Sequence, residues 1–207
     1  MNKLSFIFCT IAIVILGTLL PVFSNPEIIT EKHGNITEHR IATDPIRLAE
    51  NFYKLPFEEK LKILNQSPDT LLPIYYIAIA DEYYANEMKN AGLQLYMLGS
   101  LRGMQDTAMC EDYTAKAQIQ IYPMLAPNTV KYMINLDNNK LMEIANYVVE
   151  WDKQHSTRPN PKWACYHGMQ AFMGEVKIKP MNEYPKIQQK FREDFLQAIK
   201  DMEKLKK

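Results

Sequence analysis

Cys110 and Cys165 are the residues of this chain best equipped for covalent or metal chemistry, and Cys165 stands two places before His167. A free, acidified thiol beside an imidazole is a nucleophile, two oxidised thiols are a staple, and sulfur with imidazole nitrogen is the start of a zinc site. Structural zinc sites need about four ligands at recognisable spacing. Cys165-Tyr166-His167 has no partner pair elsewhere. A charged group is the other candidate. Arg102 ends an apolar helical stretch four residues before Asp106, while Asp81 and Glu82 interrupt the apolar run Ile74–Tyr84. Charged side chains in such positions are rarely buried unless paired. The expectation is an Arg102–acid pair that locks a helical hairpin or its turn. The functional alternative is a polar cluster of Asp81, Glu82, Arg102 and Asp106 in a groove that binds a peptide or ligand.

Other chemistry is not signalled. There is no G-x-S-x-G elbow, S-x-x-K, H-E-x-x-H or P-loop. His167 lies between Trp163 and Phe172, where a lone histidine is expected to be a hydrogen-bonded core residue. His155 follows Glu150 and Trp151 at no metalloprotease spacing, and His33 and His39 sit near the N-terminus. Met88, Met97, Met104 and Met109 are clustered along core-like stripes, so packing is expected before a binding face or a copper site. No catalytic residue, cofactor or metal is assigned.

The setting of the cysteines comes from the N-terminus. Lys3 is followed by an uncharged apolar run, Leu4–Leu20, then Pro21-Val22-Phe23-Ser24. A basic start, an apolar core and small residues at a cleavage point make a secretory signal peptide over 1–24. The alternative is an uncleaved anchor with the same domain outside the membrane. The short start with one lysine looks bacterial, so the expected location is the periplasm, or the inner membrane with the domain outside. Cys9 leaves with a cleaved signal, and Cys110 and Cys165 remain. In an oxidising compartment the simplest reading of that pair is a disulfide, with two free buried thiols or a metal site as alternatives.

Lys and Arg total 24, as do Asp and Glu. A nucleic-acid binder normally carries a basic excess, so none is expected as partner. Glycine is scarce at 7 in 207 residues, while methionine and tyrosine reach 12 each, a balance that favours helices over hairpins. Residues 25–43 lack apolar periodicity and read as a flexible leader, and 44–207 as a single helical domain.

Proline marks the helix starts, since it suits a first turn. The punctuation predicts helices over Asp44–Tyr53, from Pro56 to near Asn65, Leu71–Ala85 with Pro73 in its first turn, and Ala91–Arg102. Beyond Gly103 it predicts Asp106–Ile121 carrying Cys110, Asn128–Leu136, Asn138–His155 capped by Asp137, and a helix after Asn160-Pro161 reaching Phe172. Gly174–Pro180 reads as irregular. A final helix from about Asn182 shows the stripe Tyr184, Ile187, Phe191, Phe195, Ala198, Met202 and Leu205. The fold class is all-α, a compact bundle of about eight helices.

The stretch Ala80-Asp81-Glu82-Tyr83-Tyr84-Ala85-Asn86-Glu87-Met88-Lys89-Asn90-Ala91, then Leu95-Tyr96-Met97-Leu98-Gly99 with Gly103 and Ala108, resembles one unit of the tetratricopeptide or Sel1-like helical-repeat class. No second copy follows at the period of an array. A single such hairpin at the centre of a bundle, spanning Tyr75 to Ala115, is what the resemblance implies. It also implies protein binding and supplies no catalytic residue. The expected function is an exported, non-enzymatic interaction module that binds another envelope or secreted protein, with an immunity-type inhibitor as one form. The alternative is an envelope enzyme with a site near His167 and Arg102. A membrane is expected as partner only through an uncleaved N-terminal segment.

Overall fold

The computed structural model describes the backbone of residues 28–33 and 36–41, then Phe52, residues 54–66, 71–156 and 160–205. The segment Leu4–Leu20, and all but Phe52 of the helix expected over Asp44–Tyr53, lie outside the described residues. Within the leader, β1 (Ile28–His33) pairs antiparallel with β2 (Ile36–Ile41), His33 opposite Ile36 and Thr30 opposite His39. Both strands are rich in β-branched residues, and Gly34-Asn35 between them is a two-residue hairpin signal. Apolar periodicity does not mark these strands; the Gly34-Asn35 pair does.

The domain that follows is helical, with eight α-helices among the described residues. These are α1 (Phe57–Gln66), α2 (Pro73–Ala85), α3 (Lys89–Thr107), α4 (Tyr122–Leu125), α5 (Pro127–Asn135), α6 (Asn138–Gln154), α7 (Lys162–Cys165) and α8 (Tyr184–Leu205). Three 3₁₀ segments, Tyr113–Ile121, Met169–Met173 and Met181–Glu183, join them. The all-α expectation holds for this domain.

Local chemistry explains most boundaries. Pro73 and Pro127 stand in first turns, and the Asp137 carboxylate accepts from the backbone N–H groups of Asn139 and Lys140 to start α6. Every residue from Pro73 to Ala80 is buried. α2 therefore has no solvent face over its first half, and it lies along α3 as the closest pair of the bundle. Close approach needs missing side chains. A Cβ at Gly92 would stand 2.5 Å from the Ala80 carbonyl oxygen, and one at Gly99 would stand 2.8 Å from that of Pro73. α6 and α8 pack on the other side of α3, around Leu101, Leu141, Ile144, Val148 and Ile199.

Two expected boundaries are corrected. α3 does not stop at Gly103 but continues to Thr107. Gly103 makes room instead of ending the helix, because a Cβ there would meet the Tyr122 hydroxyl at 2.6 Å. Cys110 consequently lies past the helix, in an isolated antiparallel bridge with Ile178, and not on a helix from Asp106 to Ile121. The helix after Pro161 is likewise short. α7 ends at Cys165, and Met169–Met173 is a 3₁₀ turn closed by Gly174 at φ +79°, a conformation that favours glycine.

Candidate functional site

Arg102 is completely buried and sits where α2, α3 and α6 meet. Its Nε donates to Asp152 Oδ1 at 2.9 Å, Nη1 to the Tyr76 hydroxyl at 3.1 Å, and Nη2 to the His155 carbonyl at 2.8 Å. Trp151 and Tyr76 flank the guanidinium at 5.0 and 5.6 Å from their ring centroids. Asp152, also completely buried, takes a second arginine: Arg192 Nε donates to Oδ2 at 2.9 Å and its Nη2 to the Asp152 carbonyl at 3.1 Å. Gln105 Nε2 adds a bond to Oδ2 at 3.1 Å. α3, α6 and α8 are tied together through one carboxylate.

The expected Arg102–acid pair therefore exists, but the acid is on α6 and the pair does not lock the α2–α3 turn. The four residues grouped as a polar cluster part company. Asp81 caps α5, accepting from the N–H groups of Asn128 (3.1 Å) and Thr129 (2.7 Å). Glu82 pairs with the buried Lys60 of α1. Asp106 accepts from Trp163 Nε1 at 2.9 Å and from the Tyr184 hydroxyl, joining α3 to α7 and α8. Burial, with Asp106 adding repulsion, pushes the Tyr122 hydroxyl well above its ordinary value, so it stays protonated.

Asp152, Arg192 and Gln105 were not singled out in the sequence. A signal was present for two of them. Asp152 falls four residues after Val148 on the apolar face of α6, and Arg192 four after Gln188 and eight after Tyr184. The most buried line of α8 is Tyr184, Gln188, Arg192 and Ile199, while Ala198 of the expected stripe is exposed. Polar residues in register with an apolar stripe mark a buried network.

Cys110 and Cys165 are bridged, their sulfurs 2.11 Å apart, across a sequence separation of 55. Both are buried beside Trp163, Ala164 and Ala115 in a small cluster of their own. The bridge removes the thiol as a nucleophile. His167 is partly buried, its ring edge-on to Trp163 at 6.1 Å. His155 stacks on Trp151 at 3.9 Å, with Nδ1 2.8 Å from the Trp151 carbonyl oxygen. Among the described residues no group of three or more His, Cys, Asp or Glu side chains could hold a metal ion, and no helix is long and apolar enough to cross a membrane.

The surface beside this node is open. A cleft of about 240 Å³ lies between α1, α2, α3 and α6. Leu64, Tyr83, Leu95, Leu98, Tyr147 and Trp151 wall it, and Asn65 and Gln94 supply polar groups. Tyr76 and Trp151, the rings that flank Arg102, also line it, so the charged node lies directly behind the cleft's aromatic wall. A second hollow of about 200 Å³ lies between α3, α4, α5 and α8, walled by Met97, Met133, Met202 and Phe195. Met97 and Met109 are buried, in keeping with the packing expectation, while Met88 is exposed. Comparison with protein families, with curated proteins and with solved structures finds no match to this chain.

Proposed function

We propose that this is an exported, non-enzymatic helical interaction protein that binds another envelope or secreted protein in the cleft beside the α2–α3 hairpin. The single observation that carries the reading is the cleft itself: an aromatic and aliphatic trough with two amides, backed by rings that flank a buried arginine. Rigid aromatic anchors around a desolvated hollow are what dominate binding energy at protein interfaces. The buried charged groups are committed to the bundle: Asp152 to Arg102 and Arg192, and Asp106 to Trp163. The tetratricopeptide-like or Sel1-like character of the hairpin belongs to the same proposal, as does export through residues 1–24. Capping of a toxin, as an immunity protein does, is one form this binding would take.

The test uses the chain as bait in an envelope fraction, alongside a thermal-shift screen of small molecules. A single stoichiometric protein partner is the expected result. A saturable small-molecule ligand with no protein partner would overturn the proposal in favour of an envelope enzyme with its site near His167 and Arg102.

A further inference from the structure

The corner of the molecule around the disulfide carries large apolar side chains that point into solvent. Phe172 is 82% exposed, Met173 72%, Met169 63% and Tyr113 79%. Three of the four belong to one 3₁₀ turn, Met169–Met173. Side chains this exposed project from the surface; they do not line a hollow. The backbone beneath them is firmly held. The Met169 N–H donates to Thr114 Oγ1 at 2.8 Å and the Gln170 N–H to Asp112 Oδ2 at 2.8 Å. The Asp112 carboxylate also accepts from the Thr114 N–H, and Gly168 passes so close to it that a Cβ would stand 2.4 Å from Oδ2. The Cys110–Cys165 bridge fastens the two segments a few residues further in.

Monomeric proteins rarely hold a cluster of exposed Phe, Met and Tyr without a use for it. A projecting, preorganised apolar turn fits a soft, apolar medium, whereas a protein partner for it would need a hollow of matching shape. We propose that this turn docks the protein on a phospholipid bilayer surface, with Phe172, Met173 and Met169 entering the headgroup–acyl boundary and Tyr113 at its rim. The occupant follows from two features. No charged residue falls within Met169–Gly174, and the uncharged run Leu4–Leu20, read as an export signal or an anchor, would bring the chain to a membrane. The flanking charges balance: Lys116, Lys177 and Lys179 face Glu111, Asp112 and Glu175 in sequence, with Lys177 paired to Glu175 at 2.9 Å and Lys179 Nζ donating to the Ala108 carbonyl at 2.7 Å. Apolar insertion, not charge, is therefore the main attraction. The inference shares the export reading with the proposed function, but not the cleft.

The test places a tryptophan at two exposed sites of the full chain, Phe172→Trp on the turn and Tyr147→Trp on the cleft. Each variant is mixed with vesicles of brominated phosphatidylcholine, with and without phosphatidylglycerol. The fluorescence added over that of Trp151 and Trp163 is read after thermal melting confirms the fold. The expected result is a blue shift and strong quenching for Phe172→Trp in both mixtures, with the Tyr147→Trp signal unchanged. Quenching only in the phosphatidylglycerol mixture overturns apolar insertion as the main attraction, because charge would then carry the binding. Quenching of neither variant overturns the proposal and leaves the turn to a protein partner. Equal quenching of both overturns it as well, because contact would then be general.

Discussion

Two regions of this protein solve the same problem by different means. In the bundle, α2, α3, α6 and α8 bury a long apolar set and bridge their polar residues through Arg102, Asp152 and Arg192. In the corner built from residues 108–121 and 161–180, the buried apolar cluster is small, comprising Cys110, Ala115, Trp163, Ala164 and Cys165. There a covalent bridge, the Asp112 carboxylate and the β-bridge from Cys110 to Ile178 hold short 3₁₀ turns. Where helices run long enough to present a face, burial at about 25 cal/mol per Å² supplies the stability. Where they do not, a cross-link and side-chain-to-backbone hydrogen bonds replace it. The contrast extends to the surface: the bundle presents a cleft, and the corner a projection.

The largest effect expected is on the bundle. Asp152→Ala leaves two buried guanidinium groups without their shared carboxylate, and breaking a buried pair costs about 3–5 kcal/mol. Urea denaturation should show a loss of that size, or no cooperative fold. Arg102→Ala should cost less, since Arg192 still neutralises Asp152. Equal costs would mean that the node does not hinge on Asp152.

The corner answers to a different change. Replacing both cysteines by alanine should lower stability by about 2–4 kcal/mol, the usual range for a bridge across a long loop. In hydrogen exchange the loss of protection should fall on residues 108–121 and 161–180 and spare α2 and α6. Loss spread evenly over the bundle would break the distinction between the regions.

A smaller effect separates the two by pH. The Thr114 hydroxyl, then the N–H groups of Gln170 and Thr114, hold the Asp112 carboxyl below its ordinary value against the opposing pull of burial. A depressed folded value means that the carboxylate stabilises the corner above about pH 4 and that this contribution is lost as pH falls through the folded value. Thermal melting of Asp112→Asn should therefore fall less steeply between about pH 5 and about pH 2 than that of the parent chain. An unchanged slope would assign the acid sensitivity to the bundle.

The same division governs how much the sequence disclosed. α1, α2, α5, α6 and α8 were legible to within a few residues, because proline, a capping aspartate or an apolar stripe marks each. The pairing of Cys110 with Cys165 was legible once an oxidising compartment was inferred. The corner was not: a glycine that makes room for Tyr122 is indistinguishable in sequence from one that ends a helix. The partner of Arg102 was also hidden, because its acid lies fifty residues along the chain, while Asp81, Glu82 and Asp106 are nearer and each serves another contact. Long-range pairing is set by how helices pack, and local spacing carries no record of it beyond a polar residue in an apolar stripe.

The cleft is the claim on which the functional account stands, and capture of a partner from the envelope fraction by three baits tests it most directly. The parent chain, Tyr147→Asp in the cleft wall and Phe172→Asp on the corner both alter only exposed side chains, so all three should fold. The account predicts that the parent and Phe172→Asp retain the same stoichiometric protein partner and that Tyr147→Asp loses it. Retention by Tyr147→Asp at the parent level would contradict the assignment of the cleft.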